Sequence, residues 1–269
     1  MDMGLRDKVV AVTGATSGIG KAIAEAFVRE GARVAVIARK QAQADEAAHE
    51  IAAAGAGSAI GFEADLLIPK EVLRLVGKIK EKWGPAQVLV NAAGGVTKFG
   101  SFLELDDDDW HKDIELNLMT AVRATRAFLP GMRTLGWGRI ISISSESGIQ
   151  PDADIPNYNA AKAALIAFSK SISKAFAKDG VLINTVSPAF IMTPLVHRMI
   201  EERAQKKGLD FAASVQDFLK HERPHIELHR PGAVHEVAAA VVFLASEASS
   251  FILGTNLRVD GGSVASIGG

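Results

Sequence analysis

The stretch Lys8-Val-Val-Ala-Val-Thr-Gly14-Ala-Thr-Ser-Gly18-Ile-Gly20 decides the fold of this chain. Its valine-rich first half is typical of a strand that is buried on both faces of a parallel sheet. Its glycine-rich second half leads into a helical pattern that ends near Gly31. Strand, glycine turn and helix in this order predict a phosphate-binding turn, because the helix begins with free N–H groups and the positive end of its dipole. The alternative is that the glycines only form a turn.

The glycine spacing, G-x-x-x-G-x-G, differs from the G-x-G-x-x-G of longer dinucleotide-binding dehydrogenases. We expect Gly14 to permit the tight turn, Gly18 to let the backbone approach a pyrophosphate and Gly20 to let the helix pack closely on the strand. The neighbouring residues add two hydroxyl groups but no charge. The turn residues expected to contact a dinucleotide are Gly14, Thr16, Ser17, Gly18, Ile19 and Gly20.

Short apolar runs recur along the chain and alternate with helical segments. After the first strand, the predicted strands lie at 33–40, 58–62, 87–95, 138–145, 181–186 and 258–260. Long crossovers between them predict one α/β domain over residues 1–269, a Rossmann-like doubly wound parallel sheet of about seven strands with helices on both faces. Ligands of such sheets bind beyond the carboxyl ends of the strands. The residues at predicted carboxyl ends are Gly14, Arg39, Asp65, Asn91, Ser145 and Pro188.

The residues at the end of the second strand indicate which dinucleotide the chain prefers. An acidic residue there would bind the 2′-hydroxyl of NAD. The chain has Ala38-Arg39-Lys40 instead, and a guanidinium can bind a phosphate through two hydrogen bonds. The sequence therefore favours NADP(H), held by Arg39 and Lys40, and NAD(H) stays the alternative. The non-functional interpretation of Arg39 is a solvated cation at the end of a strand.

Two further strand ends carry candidate cofactor contacts. Asp65 and Leu66 follow the third strand, where Asp65 can accept a hydrogen bond from the adenine amine or cap the helix that starts near Pro69. Asn91, at the end of the fourth strand, can tie adjacent strands together by its amide. The next small residues let the backbone pass close to a flat ligand; they are Ala92, Ala93 and Gly94.

The segment from Ser145 to Lys162 contains the candidate chemistry. Tyr158 is the only tyrosine in the sequence, and Lys162 lies four residues later on the same face of a predicted helix. A nearby cation favours the phenolate and lowers the pKa of a tyrosine. Together with the Ser145 hydroxyl, these groups suit proton exchange with a carbonyl or alcohol oxygen. The alternative is an ordinary packed tyrosine with a hydrogen-bonded hydroxyl.

Composition excludes several functional classes. The formal charge is −1 over 269 residues, which argues against a broad surface for nucleic acid or anionic membranes. No cysteine occurs, so thiolate metal sites and a cysteine nucleophile are excluded. The N-terminus has no apolar signal core, and no uncharged apolar run reaches the ~20 residues that span a bilayer. We expect a soluble, cytoplasmic protein that acts on a small molecule.

Three polar features need separate interpretations. Asp106–Asp109 is interpreted as the start of a helix, because acidic residues favour a first turn. Asn117 lies in a mostly apolar helix, so its amide either bridges a kinked backbone or holds a water. Residues 190–232 interrupt the alternation of strands and helices, and their place after Pro188 suggests a mobile flap on the substrate side.

Four histidines lie in or near this flap, at His221, His225, His229 and His235. A spacing of four on a helix can bind zinc. However, Pro224 interrupts the pattern and no third ligand is evident. We therefore expect solvated or partner-facing histidines and no metal site.

Taken together, these motifs resemble the short-chain dehydrogenase/reductase family, and the resemblance covers nearly the whole chain. The chain looks most like the branch that includes 3-oxoacyl-[acyl-carrier-protein] reductases. It departs from the family pattern at Ala92 and Ala189, neither of which removes chemistry. The matching features are Thr13–Gly20, Asp65, Asn91–Gly94, Asn117, Ser145, Tyr158-x-x-x-Lys162, Ser187-Pro188 with Thr193, and Val259–Gly262.

The resemblance implies a catalytic set of Asn117, Ser145, Tyr158 and Lys162. Tyr158 would be the general acid in reduction and the base in oxidation, and Ser145 would hydrogen-bond the reacting oxygen. Lys162 would bind the nicotinamide ribose and depress the tyrosine pKa, while Asn117 would hold a water in a proton relay. The residues that would lie along the nicotinamide are Pro188, Ile191 and Thr193. The family is commonly tetrameric, so a homotetramer or homodimer is expected, with the Tyr158 helix and the terminal strand in the interfaces.

The expected activity is hydride transfer between NADP(H) and a carbonyl or secondary alcohol, with a 3-oxoacyl thioester as one candidate substrate. An NAD-linked sugar, steroid or hydroxy-acid dehydrogenase is the alternative within the same class. A non-catalytic dinucleotide-binding sensor is the alternative from another class, because a fold alone does not establish catalysis. The complete Asn-Ser-Tyr-Lys set argues against a sensor, which need not retain all four residues.

Overall fold

The computed structural model describes residues 3–267. Within this range one sheet is built from β1 (Val9–Thr13), β2 (Arg33–Ala38), β3 (Ser58–Glu63), β4 (Val88–Asn91), β5 (Gly138–Ile143), β6 (Val181–Pro188) and β7 (Asn256–Val259). All the strand pairs are parallel, in the order β3-β2-β1-β4-β5-β6-β7. The order reverses between β1 and β4, so the carboxyl ends of these strands border the crevice in which doubly wound sheets bind ligands.

The helices surround this sheet. They are α1 (Gly18–Arg29), α2 (Gln41–Ala52), α3 (Pro69–Trp83), α4 (Asp107–Ile114), α5 (Thr120–Leu135), α6 (Pro156–Phe176), α7 (Pro194–Lys207), α8 (Phe211–Glu222) and α9 (Val234–Ala245). A π-helical turn over Glu115–Met119 joins α4 to α5. Among the described residues, no helix has the length and apolar character needed to cross a membrane.

The side chains of alternate strand residues pack into two hydrophobic cores, one on each face of the sheet. Val10 and Val12 of β1 pack with side chains of α1, α2 and α9. Val9 and Ala11 pack with side chains of α3 and α5. A strand that is buried on both faces needs a continuous apolar sequence, which explains the valine run that opens the chain. The predicted doubly wound parallel sheet of seven strands is confirmed.

Three strands end earlier than the sequence predicted. β2 ends at Ala38, β4 at Asn91 and β5 at Ile143. The chain leaves the sheet at these points to form loops. Several candidate site residues therefore lie in loops just beyond the sheet rather than in the strands themselves.

The strands at one edge of the sheet extend further than predicted. β6 continues past Val186 to Pro188, and β7 begins at Asn256, before its predicted start. The Asn256 carboxamide oxygen accepts hydrogen bonds from Thr185 Oγ1 (2.8 Å) and Ser187 Oγ (2.7 Å). These side-chain bonds fix the register of the two strands and carry β6 to the ligand crevice.

The acidic run begins a helix, as predicted. Asp106 is the N-cap residue of α4, and its carboxylate accepts a hydrogen bond from Asp109 N at 2.9 Å. The Asp109 carboxylate accepts from Asp106 N in return and from Lys98 Nζ at 2.6 Å. These bonds satisfy donors that a helix start otherwise leaves free.

Candidate active site

A cavity of about 710 Å³ opens at the carboxyl ends of the strands. It is lined by the β1–α1 turn, by the loops that follow β2, β3, β4 and β5, and by the first turns of α7. The predicted site residues that line it are Gly14, Thr16, Ser17, Gly18, Ile19, Gly20, Arg39, Asp65, Leu66, Ala92, Ala93, Gly94, Ser145, Tyr158, Lys162, Pro188, Ile191 and Thr193. The topology of the sheet thus brings together groups that lie far apart in the sequence.

The glycines of the first turn are required by close backbone contacts. Gly14 and Gly18 have φ values of 64° and 55°, in the left-handed region, and a Cβ on Gly14 would lie 2.9 Å from Ala93 Cα. A Cβ on Gly20 would lie 2.3 Å from the Gly14 carbonyl oxygen. The first turn of α1 therefore packs against the backbone that directly follows β1 and leaves no room for a side chain at Gly20, in agreement with the close helix–strand approach expected of this glycine.

The start of α1 fits the pyrophosphate of a dinucleotide. Its N-cap residue is Ser17, whose side chain makes no capping hydrogen bond within the described residues. The first N–H groups of the helix lack intrahelical partners, and the helix dipole adds positive potential at the same place. The residues that carry these amides line the cavity, as do the small residues Ala92, Ala93 and Gly94.

Arg39 and Lys40 occupy different positions. Arg39 follows β2 directly, is exposed and lines the cavity. No ion pair joins it to another residue within 3–267, so its guanidinium is available to an anion. Lys40 is the N-cap residue of α2 and lies outside the cavity lining, which makes Arg39 the better placed of the two cations.

Asp65 does not cap the next helix, so that interpretation is wrong. α3 begins at Pro69 with Ile68 as its N-cap residue. Asp65 instead stabilises the preceding turn, because its Oδ1 accepts a hydrogen bond from Leu67 N at 2.9 Å. Its predicted contact with an adenine amine stays a prediction, supported by its place in the cavity lining.

Asn91 lies behind the cavity rather than in its lining. It is 3% exposed. Its Nδ2 donates to Ser142 Oγ of β5 at 3.3 Å and to Thr125 Oγ1 of α5 at 3.2 Å. The predicted link between adjacent strands is confirmed, and Asn91 supports the loop that follows it.

Tyr158 and Lys162 lie in α6 four residues apart, as the sequence pattern predicted. Lys162 Nζ is 5.5 Å from the centroid of the Tyr158 ring and donates to the Ile143 carbonyl oxygen at 2.9 Å. Ser145 hydrogen-bonds the Tyr158 hydroxyl, and its Oγ also accepts from Ser147 N at 3.1 Å. A phenol, an amine and a hydroxyl group therefore converge from α6 and the loop after β5.

Burial is the largest influence on the pKa values of Tyr158 and Lys162. It raises the pKa of Tyr158 to about 12, against the hydrogen bond from Ser145. It lowers the pKa of Lys162 to about 8, against the attraction of Asp113. Burial sets the direction of the Tyr158 pKa shift here, and the lowering expected from Lys162 stays a prediction. A phenol that stays protonated near neutral pH is suited to donating a proton.

Asn117 lies in the π-helical turn and is 1% exposed. Its Nδ2 donates to the Gly95 carbonyl oxygen and to Asp113 Oδ1, both at 2.9 Å, and its Oδ1 accepts from Gly95 N at 2.8 Å. Both amide hydrogens are used within the protein, so the side chain can offer a water only its oxygen. The structural interpretation of Asn117 is confirmed, and its role in a proton relay stays a prediction.

Three residues at the site were not identified from the sequence. Asp113 and Asn157 are buried side by side behind the cavity, and Arg198 lines the cavity from α7. A spacing of four residues from Asn117 could have indicated Asp113, because both then share one helix face. Arg198 could not be recognised as a site residue from the sequence, since it is one of several charged residues on its helix.

The segment 190–232 forms α7 and α8, which are separated by a break at Gly208. Arg203 of α7 and Asp217 of α8 form an ion pair at 2.8 Å that joins the two helices. The segment also has an apolar cluster of its own, formed by Phe190, Ile200, Val215, Leu219 and Ile226.

The four histidines of the predicted zinc alternative are exposed. His221 lies in α8 and His235 in α9, while the other two lie between the helices, so the helical spacing of four is not realised. In the part of the chain that the structure describes, no group of three His, Cys, Asp or Glu side chains is placed to hold a metal.

Comparison with known proteins assigns the family. The model of the short chain dehydrogenase family matches residues 8–204. The chain is 35% identical to D-beta-hydroxybutyrate dehydrogenase of Cupriavidus necator, over 97% of this chain and 99% of that protein. It is 34% identical to 3-oxoacyl-[acyl-carrier-protein] reductase FabG of Salmonella typhimurium, over 97% and 98%. Among solved structures, L-sorbose reductase of Gluconobacter frateurii, complexed with NADPH and L-sorbose, matches with a TM-score of 0.94 and 34% identity over 99% of this chain and 100% of that one. The chain belongs to the short-chain dehydrogenase family, oxidoreductases that act on alcohol and carbonyl groups.

Proposed function

We propose that the protein transfers a hydride between NADP(H) and a carbonyl or secondary alcohol substrate. The observation that carries the proposal is that one cavity is lined both by Tyr158, Lys162 and Ser145 and by Arg39. Arg39 forms no ion pair with another residue of 3–267. When bound, the nicotinamide supplies or accepts the hydride. The protein supplies orientation and the proton.

In the reduction, the carbonyl carbon receives the hydride and Tyr158 gives its phenolic proton to the carbonyl oxygen, which yields the alcohol. Ser145 donates a hydrogen bond to the same oxygen as negative charge develops on it. Lys162 would bind the nicotinamide ribose and, with a pKa of about 8, would return a proton to the phenolate. In the oxidation, Tyr158 accepts the proton of the alcohol. Asn117 contributes through its oxygen to a water that relays protons from solvent.

The remaining residues would hold the dinucleotide along the cavity. The amides at the start of α1 would bind the pyrophosphate, and Asp65 would accept from the adenine amine. Arg39 would bind the 2′-phosphate. The residues that would border the nicotinamide are Ala92, Ala93, Gly94, Pro188, Ile191 and Thr193. Asn91 would support their loop from behind the cavity.

Cofactor preference is tested at Arg39. We expect Arg39→Ala to weaken NADPH binding by about 10- to 100-fold, the worth of a hydrogen-bonded ion contact, and to leave NADH binding within about twofold. Both dissociation constants are measured by fluorescence titration. Arg74→Ala, which removes an exposed cation of α3, is the matched control. Equal losses for NADH and NADPH would refute the phosphate role and favour an NAD-linked enzyme.

The first candidate substrate is a 3-oxoacyl thioester, because FabG is named as a reductase of 3-oxoacyl groups on a carrier protein. The second is a ketose, because L-sorbose reductase shares the fold closely over its whole length. A 3-hydroxy acid is the third, after the hydroxybutyrate relative. These substrates differ in polarity and length, so one panel separates them.

The panel follows the absorbance of the reduced nicotinamide with NADPH, and separately NADH, on acetoacetyl-CoA, L-sorbose, diketones and simple ketones. D-3-hydroxybutyrate is assayed in the oxidation direction. Turnover with NADPH that is lost in Tyr158→Phe supports the proposal. Full turnover in Tyr158→Phe would refute the mechanism. NADPH binding without turnover on any substrate would favour the sensor.

Residues 1–269 are proposed to act as one domain in which 190–232 covers the substrate side. Thr193 and Arg198, from the start of α7, line the cavity opposite the first turn. A Cβ on Gly18 would lie 3.4 Å from Thr193 Cγ2. The segment therefore reaches the proposed pyrophosphate site, and closure over a bound dinucleotide would exclude water from the reacting atoms.

A further inference from the structure

Asp113 of α4 is a buried carboxylate that the proposed mechanism does not use. Its residue exposure is 0%, and it forms no ion pair within the described residues 3–267. Burial raises the pKa of this carboxyl group, while hydrogen bonds from Thr97 and Asn117 oppose the rise. An isolated buried charge is costly unless several donors satisfy it, so its partners indicate why the residue is there.

The partners of Asp113 are all hydrogen-bond donors, and each belongs to a different part of the site. Asn117 Nδ2 donates to Oδ1 at 2.9 Å, and Thr97 N donates to the same oxygen at 3.3 Å. Asn157 Nδ2 donates a hydrogen bond to Oδ2. A carboxyl group whose partners are all donors is suited to the ionised form, because a protonated acid would need an acceptor for its own proton.

These bonds connect Asp113 to two groups that line the cavity. Asn157 immediately precedes Tyr158 in the first turn of α6, so the bond to Oδ2 anchors the turn that carries the phenol. Asn117 in turn holds Gly95 by two hydrogen bonds. The bond from Asn117 Nδ2 to Asp113 fixes the orientation of that amide, so that Nδ2 meets the Gly95 carbonyl oxygen and Oδ1 meets Gly95 N.

We propose that Asp113 is a positioning residue of the active site, which places Tyr158 through Asn157 and the Gly94–Gly95 loop through Asn117. This inference rests on the proposed role of Tyr158 as the proton donor. It extends that role, because it assigns a function to a residue on a helix that does not itself line the cavity.

The charge of Asp113 acts on the pKa of Tyr158, an effect that a purely structural residue would not have. Its negative charge favours the protonated phenol of Tyr158 and the charged form of Lys162. The groups that act on the Tyr158 hydroxyl from the surrounding elements are Ser145 and Glu146 beyond β5 and Asp113 in α4. Removal of the Asp113 charge therefore lowers the pKa of Tyr158.

Two variants separate charge from geometry. Asp113→Asn keeps the shape of the side chain. The buried Asn157 Oδ1 has no hydrogen-bond partner in the described structure. After a rotation of the Asn157 side-chain amide by half a turn, this oxygen can accept a hydrogen bond from the new amide. Asp113→Ala removes both the bonds and the charge. Asp108→Ala, an exposed acid on the same helix, is the matched control, because an exposed charge is screened by solvent and salt.

The single tyrosine of the chain allows a direct measurement without substrate. The near-ultraviolet absorbance of tyrosinate is titrated in wild type and in each variant. We expect the pKa of Tyr158 to fall by about half a unit or more in both Asp113 variants and to stay unchanged in Asp108→Ala. An unchanged tyrosine titration in Asp113→Asn and Asp113→Ala would overturn the inference.

Kinetics with acetoacetyl-CoA or L-sorbose then test positioning. We expect Asp113→Ala to lower kcat by about 100-fold, since small displacements of reacting groups cost this much, with the NADPH dissociation constant within about threefold of wild type. Asp113→Asn should recover kcat to within about tenfold. Equal losses in the two variants would overturn the positioning role. Full turnover in Tyr158→Phe would instead refute the proposed function and leave the tyrosine titration as the test of the Asp113 contact.

Discussion

The burial of Lys162 makes the stability of the protein depend on pH. Lys162 has a pKa of about 8 in the folded protein, against about 10.4 in an unfolded chain. Between these values the unfolded chain holds a proton that the folded protein has released. The contribution of Lys162 to the free energy of unfolding therefore rises with pH there, by up to ~1.4 kcal/mol per pH unit, and is lost as pH falls through 8.

We expect Lys162→Met to remove this rise. The free energy of unfolding of wild type minus that of the variant should increase with pH above about 8, measured by urea unfolding at pH values below the ionisation of free tyrosine. Lys174→Met, at an exposed position of the same helix, is the control and should follow wild type. A constant difference between wild type and Lys162→Met would contradict the lowered pKa.

The same residues show what the sequence could and could not predict at this scale. The spacing of four indicated that Tyr158 and Lys162 share a helix face, because helical periodicity is local. The direction of the tyrosine pKa was not predictable, since desolvation depends on how the whole fold covers the ring. Asp113 was missed because its donors come from segments far apart in the sequence.

At the scale of elements, the turn between β1 and α1 depends on a glycine where no side chain fits. A Cβ on Gly20 would lie 2.3 Å from the Gly14 carbonyl oxygen, whereas a Cβ on Gly77 in α3 would meet nothing within 4 Å. We expect Gly20→Ala to lower the free energy of unfolding by about 1–3 kcal/mol, because the backbone of the turn must move. Gly77→Ala should raise it by about 0.5–1 kcal/mol.

Urea unfolding of the two variants measures both effects, and fluorescence titration adds their affinity for NADPH. Only Gly20→Ala should weaken the binding, since only that glycine shapes the proposed pyrophosphate turn. Similar stabilities for the two variants would contradict the close contact at Gly20.

The elements were predictable where local pattern decides them. The alternation of strands and helices follows from runs of valine and from helical periodicity. Asp106 indicates a helix start, because its carboxylate can accept a hydrogen bond from a free N–H group of the first turn. The π-helical turn at Glu115–Met119 was not predictable, because its contacts through Asn117 reach Gly95 across the fold. The longer β6 likewise depends on the carboxamide of Asn256, which lies on the neighbouring strand β7 but far away in the sequence.

At the scale of the whole molecule, α6 and β7 present surfaces that suit further copies of the chain. α6 exposes the small residues Ala160, Ala163 and Ala167 at helical spacing, and small side chains let a second helix approach closely. β7 pairs only with β6 in the described sheet, and the Phe251 side chain before it is fully exposed. An open sheet edge and exposed apolar side chains are features of association surfaces.

We therefore expect a homotetramer, with the side of α6 opposite the cavity buried between copies. Light scattering after size-exclusion chromatography measures the mass. Ala163→Arg should yield a smaller species, because a large charged side chain would have to be buried in the α6 contact without a partner. Ala42→Arg, at an exposed alanine of α2, should keep the wild-type mass. A monomeric wild type, or an Ala163→Arg variant of wild-type mass, would contradict this assembly. Because α6 also carries Tyr158, loss of the contact should lower kcat as well as mass, which links the assembly to the geometry of the proposed active site.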